Sequence, residues 1–195
     1  VTGYMAVPKK ARPFLFYSAK EIAAAKTRAA DPKAPWAKAT LDSIVKSADT
    51  WLTLPVSVPT GEGAWSGFYV CASGPSLTYD RTSPKKHYCK ADGKFYTGQP
   101  YDGCWFTRRY SELAKAARIL GLAYRLTGKQ AYAKRAAVIL AGFTRVYMSH
   151  RLHDNRYGSS AETLVPSKSG GRLLSQTLSE SSWLVSVLAA YDAVA

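Results

Sequence analysis

Apolar positions at helical spacing predict two helices in the first quarter of the chain. A helix from about residue 19 to 30 follows Ser18, whose side chain can cap the first turn while Glu21 reaches back to the Ser18 backbone. Pro32 ends this helix, and Pro35 suits the first turn of a second one. The second helix is predicted by apolar residues that recur at helical spacing: Ala37, Leu41, Ile44, Val45, Ala48 and Leu52.

The helical pattern disappears between Pro55 and Cys104. This stretch is rich in Pro, Gly and Tyr and has only short apolar runs, such as Gly67-Phe68-Tyr69-Val70. It predicts a long irregular excursion with room for one small hairpin. Loops of this length in compact domains usually have a function.

A helical hairpin is predicted after the excursion. Apolar residues at helical spacing run from Tyr110 to Thr127 and again from Gln130 to Tyr147. Gly128 lies in the short connection between them. So short a connection places the two helices side by side and antiparallel.

The last segment, from Gly170 onward, carries an unusual polar row. Wound as a helix, it places an apolar stripe (Leu174, Leu178, Val185 and Leu188) opposite a row formed by Arg172, Gln176, Glu180 and Trp183. Donors, an amide, a carboxylate and a flat ring in one row suit an oxygen-rich anionic ligand. Two alternatives remain open. The helix can be buried on both sides, or Thr177 and Glu180 can form a capping box, which would start the helix later and leave Arg172 in a loop.

These elements predict an all-α fold in one domain. Its parts are an amino-terminal helical segment (1–54), a Cys-, Gly- and Tyr-rich loop insertion (55–105) and a second helical part (106–195). The last helix has no terminal Gly, basic last turn or breaker before Ala195. From this we expect the chain to be the amino-terminal portion of a longer protein.

The charge is strongly basic and unevenly distributed. The 195 residues include 27 Lys and Arg against 13 Asp and Glu, for a net charge of +14. Residues 106–160 hold eleven basic and two acidic side chains, which is +9 of that total. Such a field attracts polyanions, and the charge alone leaves open nucleic acid, anionic glycan, phospholipid or a merely solvated surface.

The cysteines leave three possibilities. Cys71, Cys89 and Cys104 lie in the insertion together with His87, and these four residues could form a tetrahedral zinc site. A disulfide between two of the three cysteines, or free thiols, is also consistent with the pattern, and each fits it better than zinc does.

A polar stretch from His150 to Gly158 offers groups that act on acidic sugars. His153, Asp154, Asn155 and Tyr157 lie in it together with two arginines. Asn or protonated His can neutralise a uronate carboxylate, Arg can bind it with two parallel hydrogen bonds, and Tyr can transfer protons. The alternative is a loop in which Asp and Asn make local turns. The sequence has no glycine-rich phosphate loop, nucleophile elbow or glycosidase-like carboxylate pair.

Read in order, these segments resemble the amino-terminal half of the heparinase II/III-like and oligoalginate-lyase group of polysaccharide lyases. The resemblance rests on the following segments: Arg12-Pro13-Phe14-Leu15-Phe16, Tyr69-Val70-Cys71, His87-Tyr88-Cys89, residues 93–105, residues 122–128, His153-Asp154, residues 171–180, Trp183 and Ala190-Tyr191-Asp192.

The resemblance implies an incomplete (α/α) toroid of helical hairpins followed by a β-sandwich. It implies cleavage of a uronate-containing polysaccharide by β-elimination in a secreted or periplasmic enzyme, without a cofactor. The main catalytic Asn or His and the Tyr would lie beyond position 195. Substrate contact would fall to Arg172, Gln176 and Glu180, with His153 and Asp154 nearby. The implied partners are an anionic polysaccharide and the remainder of the same protein, and neither nucleic acid nor membrane.

Two other function classes compete with a lyase. The first is a noncatalytic helical domain that binds anionic glycans. The second is a nucleic-acid-binding helical module, which the charge favours; however, the basic residues are spread over several helices and are not clustered with exposed aromatic rings.

Overall fold

The computed structural model describes residues 15–154 and 170–195, and the described residues are mostly helical. They also include a single 3₁₀ turn (Ser66–Phe68) and a two-stranded antiparallel sheet formed by β1 (His87–Tyr88) and β2 (Phe95–Tyr96). The five helices are α1 (Ala19–Ala30), α2 (Pro35–Thr53), α3 (Tyr101–Thr127), α4 (Gln130–Tyr147) and α5 (Thr177–Val194). The prediction of an all-α fold is confirmed. Residues 12–14 of the resemblance lie outside the described residues.

The first helix starts at the predicted capping box. The Glu21 N–H donates to Ser18 Oγ over 3.2 Å, and the Ser18 N–H donates to Glu21 Oε2 over 2.7 Å. Just before this cap, the Leu15 N–H donates to Asp192 Oδ2 on α5 over 2.9 Å, which ties the two ends of the described chain together.

Helices α3 and α4 form the predicted antiparallel hairpin. Gly128 ends α3 in the left-handed conformation, at φ 77°, which a glycine adopts without steric cost. Helix α3 begins at Tyr101, earlier than the expected boundary at residue 106, because it continues back through Cys104 and Trp105.

Helix α3 lies at the centre of the fold, in contact with α2, α4 and α5. A Cβ added at Gly121 would come within 2.9 Å of the Ala193 Cβ, so α3 and α5 approach closely at this point. The residues that fill this core are mostly small or aliphatic, with a few rings: Leu113, Ala117, Leu120, Ala123, Tyr132, Ala136, Ile139, Phe143, Leu173, Leu174 and Trp183. Among the described residues, no helix is both long enough and apolar enough to span a membrane.

Polar side chains of α3 hold the insertion in place by hydrogen bonds to the backbone carbonyls of the insertion. Arg109 donates to the Pro55 carbonyl over 2.6 Å, and the Tyr110 hydroxyl lies 3.0 Å and 2.7 Å from the carbonyls of Pro59 and Gly61. The predicted small hairpin is present as β1 and β2, whereas the Gly67 to Val70 run forms the 3₁₀ turn and its exit.

The predicted single helix from Gly170 onward is wrong. Helix α5 begins at Thr177, and Arg172 lies in the preceding loop. The late start agrees with the alternative in which Arg172 lies in a loop. A capping box does not cause it, since the N-cap residue Gln176 makes no side-chain capping bond. The Thr177 hydroxyl donates instead to the Gly170 carbonyl over 2.9 Å.

The predicted apolar stripe on this helix is wrong as well. Leu178 is 79% exposed, and Val185 and Leu188 are exposed too, although Leu174 is buried in the loop before the helix. The buried residues of α5 are mostly small, and two of them, Ala190 and Ala193, lie against Gly121 of α3. The full set is Trp183, Ala189, Ala190, Asp192 and Ala193.

Candidate functional site

Three loops meet beside the amino-terminal end of α5, and we call this meeting point the loop junction (residues 61–64, 148–154 and 170–176). His153 and Gly171 exchange two backbone hydrogen bonds, of 2.9 Å and 3.0 Å. His153 Nε2 lies 2.9 Å from the Gly63 carbonyl, and the Gly63 N–H donates to the Leu173 carbonyl over 2.9 Å. Because a carbonyl only accepts, His153 Nε2 is the donor of this hydrogen bond. Side chains distant in sequence are thereby brought together.

Glu180 holds the loop junction to α5. Its Oε2 accepts hydrogen bonds from the backbone N–H groups of Arg172, Leu173 and Leu174, over 2.8, 2.8 and 3.0 Å. Its Oε1 accepts from the Tyr147 hydroxyl over 2.9 Å. Three N–H donors that no helix or strand satisfies are thus paired with one carboxylate oxygen.

Arg172 is half-buried at the edge of the junction, with most of its donors available. Its Nη1 donates to the His150 carbonyl over 2.6 Å. A guanidinium has five N–H donors, and the remaining ones have no hydrogen-bond partner among the described residues. The side chain is therefore held at one corner and can present a fork of donors to an anion.

His150 lies beneath Arg172 and is only 6% exposed. Its ring meets the Tyr110 ring edge-on at 6.5 Å between centroids, and its Nε2 is buried without a hydrogen-bond partner among residues 15–154 and 170–195. Burial lowers the pKa of His150, so the ring is neutral at neutral pH. The sequence showed His150 in a polar loop but gave no sign that the ring is buried.

The other predicted site residues divide into supporting and edge positions. Trp183 is buried and stacks on Tyr147, with ring centroids 5.7 Å apart and planes 3° from parallel. Gln176 and Asp154 are half-buried at the edge of the junction. Asn155 and Tyr157 lie outside the described residues. The structure thus brings His153, Arg172 and Glu180 together, but Arg172 does not share a helix face with Glu180 as predicted, because Arg172 lies in the loop before α5.

Neither Tyr147 nor Tyr110, the two described tyrosines that contact the loop junction, has the lowered pKa that a catalytic base would need. Burial, followed by the hydrogen bond to Glu180, raises the pKa of Tyr147, and burial also raises the pKa of Tyr110. Both phenols therefore remain protonated at neutral pH and serve as hydrogen-bond donors.

The four candidate zinc ligands are arranged differently from a metal site. Cys71 and Cys89 form a disulfide. Cys104 is a buried free thiol that donates to the Trp65 carbonyl over 3.1 Å, and burial raises the pKa of this thiol to about 11. His87 uses both ring nitrogens elsewhere. Of the three possibilities open from the sequence, the structure has the disulfide.

A buried polar network that the sequence did not reveal fixes the insertion. His87 Nδ1 lies 2.8 Å from the Tyr69 hydroxyl, and His87 Nε2 lies 3.0 Å from Asp102 Oδ1. Lys85 donates to the other Asp102 oxygen over 2.9 Å. Burial raises the pKa of Tyr69 to about 12. Because Tyr69 and His87 are fully buried, a substrate does not reach them, and the network is structural.

Taken together, the fold and the loop junction describe a helical protein with the Arg172 guanidinium at a half-buried edge. The Alginate lyase family model matches residues 63–171, which is more than half of the chain. The chain belongs to the alginate lyase family, and the family supports polysaccharide lyase activity in general. No curated protein matches the chain.

Proposed function

We propose that the protein takes part in cleavage of an anionic, uronate-containing polysaccharide by β-elimination, and that the loop junction contacts the substrate. In this chemistry the uronate carboxylate is neutralised, the C5 proton is removed, and the bond to O4 breaks to leave an unsaturated sugar. The (α/α) toroid, a following β-sandwich and a secreted or periplasmic location are parts of the same proposal.

One observation carries the proposal. The region matched by the family model begins at Gly63 and ends at Gly171, and both glycines bond to His153. Three residues of the matched region that are distant in sequence therefore meet at the loop junction, next to Arg172. Side chains cannot replace these glycines easily, since a Cβ would lie 2.5 Å from the Leu173 carbonyl at Gly63 and 2.3 Å from the Leu174 carbonyl at Gly171.

Within the junction, Arg172 has the role of neutralising the uronate charge. A guanidinium donates two parallel bonds to a carboxylate and is always charged, so it lowers the cost of forming a carbanion next to that carboxylate. Gln176 and Asp154 contact sugar hydroxyls from the edge. Glu180, His153 and Trp183 keep the loops in place beneath them.

In this proposal, the residues that transfer protons lie outside the loop junction. The Tyr147 and Tyr110 phenols have raised pKa values and His150 is buried, so these groups do not supply an exposed base. The resemblance implies an Asn or His and a Tyr after position 195 for this step. The noncatalytic glycan-binding alternative predicts the same binding without turnover in any longer form.

The experiment is equilibrium binding of the 195-residue chain to a uronate tetrasaccharide, with absorbance of unsaturated uronate followed in parallel. We expect binding without turnover, and we expect Arg172→Lys to weaken binding by about thirtyfold because Lys cannot reproduce the bidentate contact. The matched control is Arg145→Lys, an exposed position on α4.

Three results would overturn the proposal or one of its parts. Failure of the chain to bind any uronate oligosaccharide would remove the substrate class. Equal binding by Arg172→Lys and the wild type would remove the role of Arg172, provided that the two proteins melt at the same temperature. Turnover by the chain alone would refute the assignment of proton transfer elsewhere.

A further inference from the structure

A cleft of about 740 Å³ lies between α3 and α5, on the side of α5 that faces Arg108. Its size falls within the roughly 300 to 1,000 Å³ that small-molecule sites occupy. The walls are formed by Arg108, Ser111 and Lys115 from α3 and by Ser179, Ser182 and Ser186 from α5. None of these six residues was singled out by the sequence.

The two walls are matching rows. On each helix the three residues follow the spacing i, i+3, i+7, which places them on one face. At 1.5 Å per residue, each row extends about 10 Å along its helix. Hydroxyl groups both donate and accept, so the serine row of α5, together with Ser111, suits a ligand that itself carries many hydroxyls. Ser182 already donates to the Leu178 carbonyl over 3.0 Å and can still accept a hydrogen bond from such a ligand.

The charge of the cleft is positive. Its lining carboxylate, Glu112, accepts hydrogen bonds from Tyr79, Arg81 and Arg109, which hold the pKa of Glu112 below its ordinary value although burial alone would raise it. Arg108 and Lys115 form no ion pair with any described residue. Two cations therefore face the cleft without a compensating anion.

Arg108 is held in place by the buried network of the insertion. Its guanidinium carbon lies 4.7 Å from the centre of the Tyr69 ring, and Tyr69 is fixed by His87. A cation held on a rigid ring loses little side-chain entropy when it binds an anion. The disulfide-containing insertion thus has a function at this cleft, since it positions Arg108.

The cleft adjoins the loop junction. Leu174 and Trp183 line the cleft, while the Leu174 N–H bonds to Glu180 and the Trp183 ring stacks on Tyr147. A ligand that lies between α3 and α5 can therefore continue toward Arg172. Nucleic acid fits less well, because base stacking needs an exposed ring, whereas Trp183 is buried and Tyr79 is bonded to Glu112.

We infer that this cleft is a second binding subsite, for an unsulfated uronate oligosaccharide, with carboxylates on Arg108 and Lys115 and sugar hydroxyls on Ser111 and the serine row of α5. The choice of ligand rests on the proposed function, but the site is separate from Arg172.

The test is calorimetric binding of a tetrasaccharide prepared from alginate, with an uncharged 1→4 glucan tetrasaccharide and a sulfated tetrasaccharide for comparison. Arg108→Gln combined with Lys115→Gln should weaken alginate tetrasaccharide binding by about 10- to 100-fold. The control combines Lys134→Gln with Arg145→Gln, which removes the same charge from exposed positions on α4, outside the cleft. It should change the dissociation constant by less than about threefold.

A second variant tests the cleft independently, in case the first variant does not fold. Ser182→Trp places a large ring in the cleft from an exposed helix position, so it should block binding while the melting temperature stays unchanged. Wild-type binding with no effect of either cleft variant would overturn the subsite and leave the proposed function standing. Equally strong binding of the uncharged glucan would overturn the charge recognition, and tighter binding of the sulfated sugar would overturn the substrate class. Failure of the wild type to bind any uronate oligosaccharide would overturn both proposals.

Discussion

The α3–α4 hairpin and the loop junction are stabilised by different means. In the hairpin, backbone groups are paired within each helix, and the contact between helices is made by buried apolar side chains such as Leu120, Ala136 and Ile139. In the junction, backbone groups depend on one side chain, since three N–H groups share Glu180 Oε2.

The difference predicts where the protein is vulnerable. A hairpin with a regular hydrogen-bond ladder loses only packing energy when a buried methyl group is removed. A loop whose backbone bonds converge on one carboxylate loses several bonds when that carboxylate is removed, and the donors stay buried. Substitutions in the two regions should therefore lower the free energy of unfolding by different amounts, even when they remove a similar number of atoms.

The largest expected effect is that of Glu180→Ala. It leaves three backbone donors without their acceptor, and we expect it to lower the free energy of unfolding by about 3 to 5 kcal/mol. Glu180→Gln keeps an acceptor oxygen and should lose about half as much. Urea unfolding measures both. Equal, small losses would mean that the carboxylate does not hold the junction.

The second effect tests the insertion. Replacing Cys71 and Cys89 together by Ala opens a cross-link that spans 18 residues, with an expected loss of about 3 kcal/mol. Reductant should destabilise the wild type by a similar amount and leave the double variant unchanged. If reductant has no effect on the wild type, the two cysteines are not joined.

The third effect depends on pH. Burial alone would raise the pKa of Asp102, but hydrogen bonds from Lys85 and His87 outweigh it and keep that pKa below its ordinary value. A carboxyl group with a lowered folded-state pKa stabilises the protein above its unfolded pKa of about 4, and this stability is lost as the pH falls through the folded value. Asp102→Asn should therefore cost about 1 to 2 kcal/mol at pH 7.

As a control, the unfolding free energies of the wild type and Asp102→Asn are compared again at acidic pH. The difference in unfolding free energy between wild type and Asp102→Asn should narrow when the pH is lowered from 7 to 3. A constant difference across this range would show that the ionised carboxylate is not the stabilising species.

The smallest effect is expected in the hairpin. Ile139 is completely buried, and Ile139→Val removes one methylene, which typically costs about 0.5 to 1.5 kcal/mol. Thermal unfolding should show a small shift and an unchanged helical signal. A loss as large as that of Glu180→Ala would erase the contrast between the two regions.

Much of the helical part could be predicted because its signals are local. The Ser18 cap, the Gly128 turn and the apolar periods around them lie within a few residues of the structure that they specify. The family resemblance likewise came from the order of short motifs, and the match over residues 63–171 confirms its alginate-lyase part. The candidate site was predicted only as a set of residues, and its substrate contacts stay a prediction.

The arrangement of that set was decided by tertiary structure. A helical period treats residues 170–188 as one element, and it cannot show that Glu180 bonds to backbone groups six to eight residues earlier. The Glu180 carboxylate holds the backbone of residues 172–174 in a loop, so α5 starts at Thr177. Arg172 therefore does not lie in the polar row that was predicted for one helix. The sequence by itself thus determined which segments become helices and which residues carry suitable chemistry. Bonds between distant parts of the chain decided where the last helix begins, which of its faces is buried and which side chains meet, since the energy of those bonds depends on positions that no local period encodes.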